Sequence, residues 1–214
     1  MIALIDYGAG NLTSVRKALD AIGAEVQVPR APAELGAAAG VIVPGVGNFQ
    51  ATAAIDDRWR EAIMSVIGDG RPLLGICLGL QWLFEGSTEA PGCAGLGLMA
   101  GQCDRLPGGH AAADEGGWTL KVPHVGWNAL HFPRASSLLD GIEDNAQVYF
   151  THSYAAPVTH DAVAITTHGV RFASAVERGQ VFGVQFHPEK SGDIGLRVLR
   201  NFLAQAMGAT SAEF

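Results

Sequence analysis

A sharp strand-to-helix turn centred on one cysteine limits the folds open to this chain more than any other sequence feature. Residues 73–81 read as a short apolar strand that turns directly into a helix. Gly75 and Gly79 lie two residues before and after Cys77, and such glycines let a strand and a helix approach closely around an exposed nucleophile. The pattern predicts an α/β fold in which Cys77 is held out at the turn.

A base for this cysteine lies about a hundred residues later in the sequence. Residues 181–187 read as an apolar strand that ends in His187, Pro188 and Glu189. Proline has no N–H for a sheet ladder, so we expect Pro188 to end the strand and leave the histidine at its carboxyl edge. An imidazole can hold a thiolate as an ion pair, and a carboxylate can orient the ring. Cys77, His187 and Glu189 therefore predict a catalytic triad.

Backbone donors for a developing oxyanion are expected beside the triad. The N–H of Leu78 should be free at the elbow, and a second donor should come from a neighbouring loop. The glycine-rich stretch Gly45, Val46 and Gly47 follows a short buried strand and can turn an N–H toward Cys77. The same stretch is also typical of an ordinary tight turn.

Composition fits a compact enzyme. The 214 residues are 48% hydrophobic, enough to bury a sizeable core as one domain over 1–214. A net charge of −7 argues against binding to nucleic acid. No apolar run is long enough to cross a membrane, and Asp6 comes too early for a signal peptide. We expect a cytoplasmic protein.

Cysteine usage points to a reducing compartment. Cys77, Cys93 and Cys103 are three in number and form no C-x-x-C spacing. We therefore expect no disulfide, no metal and no cofactor. Cys93 and Cys103 read as ordinary free thiols.

The order of apolar runs predicts an open, mostly parallel, flavodoxin-like sheet flanked by helices. Short strands at 2–6, 25–28, 41–43 and 73–77 alternate with helical stretches. Residues 96–177 have strand-and-turn texture, which favours an additional antiparallel portion, and 107–117 read as a flexible loop. A last helix is expected after Ser191, which can cap it.

The motifs together resemble a known family. Residues 75–81 with His187-Pro188-Glu189 resemble the class I, triad-type glutamine amidotransferases. Within that superfamily, the stretches 6–12, 44–47, 123–128, 149–154 and 185–191 look like the glutaminase subunits of imidazole glycerol phosphate synthases. The elbow and the triad alone also fit a glutaminase of another pathway, a related cysteine hydrolase, or an interaction subunit that kept the fold.

The resemblance implies a reaction and a partner. Such proteins hydrolyse L-glutamine to glutamate and ammonia through a cysteine thioester. The ammonia passes to a cyclase subunit, a (β/α)₈ barrel, which forms imidazole glycerol phosphate and AICAR in histidine biosynthesis. The resemblance also implies a resting state with a misaligned oxyanion loop, and we expect a peptide reorientation near Gly45 and Val46.

Further site residues follow from the same resemblance. Those that match glutamine-site positions are Gly47, Gln81, Glu89, Ser153 and Tyr154. Those that match positions at the cyclase interface are Asn11, Trp127 and Lys190. Two other motif histidines, His124 and His152, are expected to be structural because no metal ligand or third catalytic carboxylate accompanies them.

Overall fold

The computed structural model describes residues 1–108 and 120–208. Its strands are β1 (Ile2–Leu4), β2 (Val26–Gln27), β3 (Gly40–Val43), β4 (Leu73–Ile76), β5 (Gly86–Ser87), β6 (Gln102–Arg105), β7 (His124–Ala129), β8 (Gln147–His152), β9 (Tyr154–Ala155), β10 (Ala162–His168), β11 (Val170–Arg178) and β12 (Val181–Val184). Its α-helices are α1 (Leu12–Ala21), α2 (Asp57–Gly68), α3 (Leu78–Leu83) and α4 (Gly192–Met207). Short 3₁₀ turns cover Pro32–Ala37, Phe49–Ala54 and Pro188–Lys190.

One seven-stranded sheet organises the molecule, in the order β10-β11-β12-β4-β3-β1-β2. The five strands from β12 to β2 are parallel, whereas β11 and β10 add to the edge in antiparallel pairs. The predicted fold class, a mostly parallel sheet with helices and an additional antiparallel portion, is confirmed.

Alternating side chains of the parallel strands bury both faces of this sheet. Leu4 and Leu74 belong to one apolar cluster, together with residues of α1 and α4. Val41 and Val43 belong to a second cluster on the opposite face, together with residues of α2 and α3. Parallel strands that are covered on both sides read as continuous apolar runs, as these do in the sequence.

The helix ends follow local chemistry, with one correction. Asn11 caps α1 as expected, since its side chain accepts a hydrogen bond from the Ser14 N–H at 3.4 Å. Ser191 occupies the N-cap position of α4 as predicted, but its side chain makes no capping hydrogen bond within the described residues. The Ser191 hydroxyl instead donates to the His187 carbonyl oxygen at 2.7 Å and accepts from the Tyr149 N–H at 2.9 Å, so it ties two segments together.

Glycine is sterically required on both sides of the elbow. A Cβ atom on Gly79 would lie 1.8 Å from the carbonyl oxygen of Val43, and one on Gly75 would lie 2.5 Å from the backbone of Gly79. Helix α3 therefore starts in contact with β3 and β4. This close approach brings the first turn of the helix next to the loop that follows β3.

Four strands end earlier than the sequence predicts, two of them by a single residue, since β2 stops at Gln27 and β4 stops at Ile76. β1 stops at Leu4, and β12 stops at Val184 instead of continuing to His187. The reason at β12 is a change of partners. The Gln185 N–H bonds to Ser174, and the His187 N–H bonds to Tyr149 on β8.

The middle of the chain forms two smaller sheets. β5, β6 and β9 make one, and β7 pairs with β8 in an antiparallel ribbon in which His124 lies opposite His152. Most of the predicted loop, residues 109–117, lies outside the described residues. No helix within the described ranges is long and apolar enough to cross a membrane.

Candidate active site

Cys77 occupies a strained elbow between β4 and α3. Its backbone has φ 54° and ψ −103°, a conformation that residues other than glycine seldom adopt. The elbow is fixed by a 2.7 Å hydrogen bond from the Cys77 N–H to the carbonyl oxygen of Val184. The thiol is only 4% exposed, so it meets solvent through a narrow opening. This is the geometry of a presented nucleophile.

His187 and Glu189 lie together beside this elbow. His187 Nδ1 is 2.9 Å from Glu189 Oε1, and both side chains are 2% exposed. Burial alone would lower the pKa of His187, but its contacts with Cys77 and Glu189 raise that pKa to about 9. Within residues 1–108 and 120–208, His187 Nε2 has no fixed hydrogen-bond partner. The second ring nitrogen is thus available for proton transfer at the thiol.

A cleft of about 180 Å³ opens in front of Cys77. It is lined by Val46, Gly47, Cys77, Leu78, Gln81, Glu89, Pro123, Thr151, His152, Ser153 and Tyr154. The structure therefore brings the predicted glutamine-site residues into one cavity with the cysteine. His187 and Glu189 lie outside the lining, so a ligand in the cleft meets the thiol first.

The expectation that the Leu78 N–H is free is wrong. It donates to the carbonyl oxygen of Gly45 at 3.2 Å. The Val46 N–H is also engaged, since it donates to the carbonyl oxygen of Ala9 at 3.2 Å. The loop after β3 therefore presents a carbonyl to the elbow where an oxyanion needs donors. Sequence reasoning could not reveal this, because it depends on the orientation of one peptide plane.

Comparison with known proteins places this geometry in a family. Residues 3–206 match the model of the class-I glutamine amidotransferases. The chain belongs to this family. It is similar to the imidazole glycerol phosphate synthase subunit HisH of Moorella thermoacetica, with 50% identity over 94% of this chain and 93% of that protein. It is also similar to the same subunit of Methanothermobacter thermautotrophicus, with 47% identity over 95% and 98% of the two chains.

Solved structures agree at the level of the fold. A crystal structure of a glutamine amidotransferase covers 97% of this chain and 100% of its own, with a TM-score of 0.72 and 19% identity. The Thermotoga maritima PurLQS structure gives the same TM-score, 0.72, over 94% of this chain and 96% of its own. With relatives at 43 to 50% identity that share the name HisH, the chain is a glutamine amidotransferase of the HisH family.

Two of the three residues that the sequence predicts at a partner interface share one surface. Trp127 on β7 is 57% exposed, and its ring meets that of Tyr149 edge-on with centroids 6.1 Å apart. The ammonium group of Lys190 lies 5.6 Å from the centre of the same Tyr149 ring. Asn11 lies at the start of α1, which packs against the 3₁₀ turn that carries Lys190.

The remaining predicted site residues of the amidotransferase have defined partners. Glu89 Oε2 accepts from the Phe49 N–H at 2.7 Å, which holds the carboxylate at the cleft wall. The Ser153 carbonyl oxygen accepts from the Leu106 N–H at 2.8 Å. The Tyr154 carbonyl oxygen accepts from the Gln81 side chain at 2.9 Å.

The two motif histidines form a buried pair at the cleft wall, where His152 is part of the lining. His152 Nδ1 lies 2.9 Å from the carbonyl oxygen of Tyr154, and His152 Nε2 lies 3.0 Å from His124 Nδ1. Burial lowers the pKa of His124 to about 3 and that of His152 to about 4, with further lowering from neighbouring histidines. Both rings are therefore neutral. Across residues 1–108 and 120–208, no cluster of histidine, cysteine and acidic side chains is arranged for a metal.

One residue in contact with the thiol was missed by sequence reasoning. Gln185 Nε2 donates to Cys77 Sγ at 3.5 Å. Gln185 is fully buried, directly after β12. A single polar residue among apolar ones, two positions before His187, was the signal available in the sequence.

Proposed function

We propose that this chain is the glutaminase subunit of an imidazole glycerol phosphate synthase. In this role it hydrolyses L-glutamine to glutamate and ammonia, and it passes the ammonia to a cyclase subunit with a (β/α)₈ barrel. The proposal rests mainly on the proximity of three side chains, those of Cys77, His187 and Glu189. Cys77 stands on a strained elbow in the cleft, and the buried pair of His187 and Glu189 lies beside it.

The first half of the proposed reaction forms a thioester. The Cys77 thiolate attacks the side-chain carbonyl carbon of glutamine, and a C–S bond forms. His187 holds a proton at neutral pH, because its pKa is raised to about 9 despite the opposing effect of burial. It gives that proton to the leaving nitrogen as the C–N bond breaks, and ammonia departs.

The second half releases glutamate. His187, now neutral, takes a proton from water, and the resulting hydroxide attacks the glutamyl thioester. The C–S bond breaks and returns the thiolate. Glu189 accepts a hydrogen bond from His187 throughout, which keeps the ring in one tautomer and stabilises its charged form.

Substrate recognition is assigned to the cleft walls. We place the α-ammonium group of glutamine at Glu89, which has one carboxylate oxygen fixed by the Phe49 N–H. Gln81, Ser153 and Tyr154 line the same cleft, and we assign them to the remaining contacts with the substrate. Gly45, Val46, Gly47 and Leu78 are assigned to the oxyanion.

The oxyanion donors must be rearranged before the reaction can run. The Leu78 N–H is occupied by the Gly45 carbonyl, and the Val46 N–H by the Ala9 carbonyl. We propose that the Gly45–Val46 peptide turns when the partner binds its own ligand. The turn releases the Leu78 N–H and brings the Val46 N–H toward Cys77. Glycine at position 45 lowers the cost of such a turn.

The partner surface is assigned to Trp127, Lys190 and Asn11. Large exposed aromatic side chains beside a fixed cation are typical of protein interfaces. Direct transfer of ammonia through this contact is required, since water at neutral pH converts most free ammonia to ammonium. The complex is proposed to be a heterodimer with an internal ammonia path.

Two further assignments belong to this proposal. We place the chain in the cytoplasm, where its three buried cysteines, all free, would stay reduced. We also treat residues 1–214 as a single domain, because the central sheet joins strands from the N-terminal half and from the last quarter of the chain. The proposed reaction, like the prediction from the sequence, requires no metal and no cofactor.

The deciding experiment measures glutamate release from glutamine by the purified chain. The chain is assayed alone, with the cyclase subunit, and with the cyclase subunit and its ribonucleotide. We expect little release alone and a large rise in the full mixture. Cys77→Ala should abolish release in every mixture, whereas Cys93→Ala, at a buried free thiol outside this cleft, should retain it. Undiminished hydrolysis by Cys77→Ala would refute the proposal.

A further inference from the structure

We infer that Gln185 is a positioning residue whose side-chain amide donates to Cys77 Sγ and favours the thiolate over the thiol. The inference rests on the proposed function, because it concerns the nucleophile of that reaction. It assigns a task to a residue that stands outside the triad and outside the cleft lining. Three hydrogen bonds fix which way the Gln185 amide is turned.

The chain of hydrogen bonds begins at an atom that can only accept. The Tyr154 carbonyl oxygen lies 2.9 Å from Gln81 Nε2, so the amide of Gln81 must turn its NH₂ group toward it. The same NH₂ group lies 3.1 Å from Gln185 Oε1 and donates its second hydrogen there. With its oxygen fixed in this way, Gln185 must turn its own NH₂ group toward Cys77 Sγ, 3.5 Å away.

Reversal of either amide would break this chain. A flipped Gln81 would set its oxygen against the Tyr154 carbonyl, and a flipped Gln185 would set its NH₂ against that of Gln81. The sulfur at the end of the chain is therefore always offered a donor. A thiolate accepts such a hydrogen bond strongly, whereas a thiol sulfur is a weak acceptor.

Burial strengthens this preference. Gln185 is 0% exposed and Gln81 is 4% exposed, so water does not compete for these bonds. An apolar side chain would fill the same space without the cost of burying an amide. The amide nevertheless has both its oxygen and its nitrogen engaged, the latter with the nucleophile.

Other titratable groups also face Cys77 and have to be separated from Gln185. His187 is in contact with the thiol. The pKa of Tyr7 is raised mainly by burial and further by the charge of Cys77, so Tyr7 is also close to the thiol. Glu89 and His152 line the same cleft. Gln185 itself does not titrate. Its replacement changes the hydrogen bond to sulfur and leaves those four groups in place.

The test is the pH profile of Cys77 alkylation by iodoacetamide, followed by mass spectrometry of the Cys77 peptide in the full chain. The thiolate displaces iodide, so the rate reports the thiolate fraction. In Gln185→Met, which loses the donor, we expect the half-maximal rate to move about one pH unit higher and alkylation at pH values below that midpoint to slow about tenfold. Gln185→Glu keeps the acceptor for Gln81 but turns an oxygen toward the sulfur, and it should slow alkylation further.

A buried amide elsewhere provides the matched control. Asn201 on α4 is 1% exposed and donates to two carbonyl oxygens far along the chain from the elbow. Asn201→Leu should lower the melting temperature and leave the alkylation profile unchanged. An effect of Gln185 that came only from lost stability would appear in Asn201→Leu as well, and that result would overturn the inference.

The outcomes separate the two proposals. Wild-type profiles in both Gln185 variants would overturn the inference even if the wild-type chain hydrolyses glutamine with its partner. If the wild-type chain does not release glutamate with that partner, the proposed function fails, while the ordered slowing of alkylation would still establish the donor role of Gln185. Should Gln185→Met not fold, the nearly isosteric Gln185→Glu decides alone.

Discussion

The carbonyl oxygen of Gly45 accepts the N–H of Leu78 at 3.2 Å, which closes the elbow to an incoming oxyanion. Gly45 is wedged in this position. A Cβ atom there would lie 2.0 Å from the Tyr7 hydroxyl and 2.8 Å from Leu78 Cβ. The Tyr7 hydroxyl is itself buried and has no hydrogen-bond partner among the residues that the structure describes. The resting loop is thus shaped by contact with Tyr7 as well as by its own glycines.

We predict that Gly45→Ala lowers the free energy of unfolding by about 2 kcal/mol, because the added methyl overlaps the Tyr7 hydroxyl. Tyr7→Phe alone should change stability by no more than about 1 kcal/mol, since the hydroxyl has no partner to lose. The double variant should recover part of the loss. Urea unfolding of the four proteins measures the coupling, and strictly additive losses would argue against the contact.

Gly79→Ala should be among the most damaging single changes in the chain. Its new Cβ would lie 1.8 Å from the Val43 carbonyl oxygen, and that atom belongs to a central strand that cannot retreat. We expect a loss of about 3 kcal/mol or more. Gly68→Ala is the matched control, because it lies at the end of α2 with open space around it and should gain about 0.5 kcal/mol. Chemical denaturation checks both signs.

Glu189→Gln should reduce glutamate release about a hundredfold or more, because the imidazole loses the carboxylate that orients it and supports its charge. In the wild-type chain, burial opposes the charged form of His187, but contacts with Cys77 and Glu189 raise its pKa to about 9. The pKa should fall in Glu189→Gln. Nuclear magnetic resonance titration of the ring measures the shift, with the exposed His160 as internal control. An unchanged titration would contradict the role given to Glu189.

Acid should destabilise the folded chain through His124 and His152. Burial, aided by neighbouring histidines, lowers their pKa values from 6.5 to about 3 and about 4. Between pH 6.5 and these lowered pKa values, the unfolded chain therefore binds more protons than the folded chain. The stability that comes from keeping the two rings neutral is present above pH 6.5 and is lost as pH falls. We expect His124→Phe to reduce the slope of unfolding free energy against pH by about 1.4 kcal/mol per unit. An unchanged slope in His124→Phe would contradict this account.

Trp127→Ala should weaken association with the cyclase subunit while leaving the fold unchanged. The indole is 57% exposed on β7 and has little to stabilise within this chain. Exposed tryptophans at interface centres contribute about 2 kcal/mol or more, which is about thirtyfold in affinity. Titration calorimetry against the cyclase measures the loss. Met64→Ala, at an exposed residue of α2, serves as the control, and an equal effect there would contradict the assigned surface.

Sequence reasoning succeeded where chemistry is local. The glycines around Cys77 predicted the elbow because their task is steric and is set by atoms within a few residues or on the adjacent strand. The apolar runs predicted the parallel sheet because burial on both faces leaves no polar alternation. The prediction that Pro188 ends the strand at His187 was wrong, because β12 already ends at Val184 and Pro188 begins a 3₁₀ turn.

Sequence reasoning failed where the outcome depends on which distant groups meet. The pairing of the Leu78 N–H with Gly45 depends on the orientation of one peptide, which residue types do not specify. Serine is a residue type that often caps helices. The Ser191 hydroxyl instead hydrogen-bonds to the His187 carbonyl and the Tyr149 N–H, because β8 brings that N–H within reach. Gln185 was overlooked for the same reason, since its partners are about a hundred residues away.

The β7–β8 ribbon exposes Trp127 on one face and buries His124 on the other. Because side chains alternate along a strand, a shift of one residue in the register of β7 would turn the tryptophan inward and the histidine outward. A single insertion or deletion in this strand would therefore damage the proposed partner surface and the support of the cleft wall together. Length variation in this part of the chain should be tolerated only outside the ribbon.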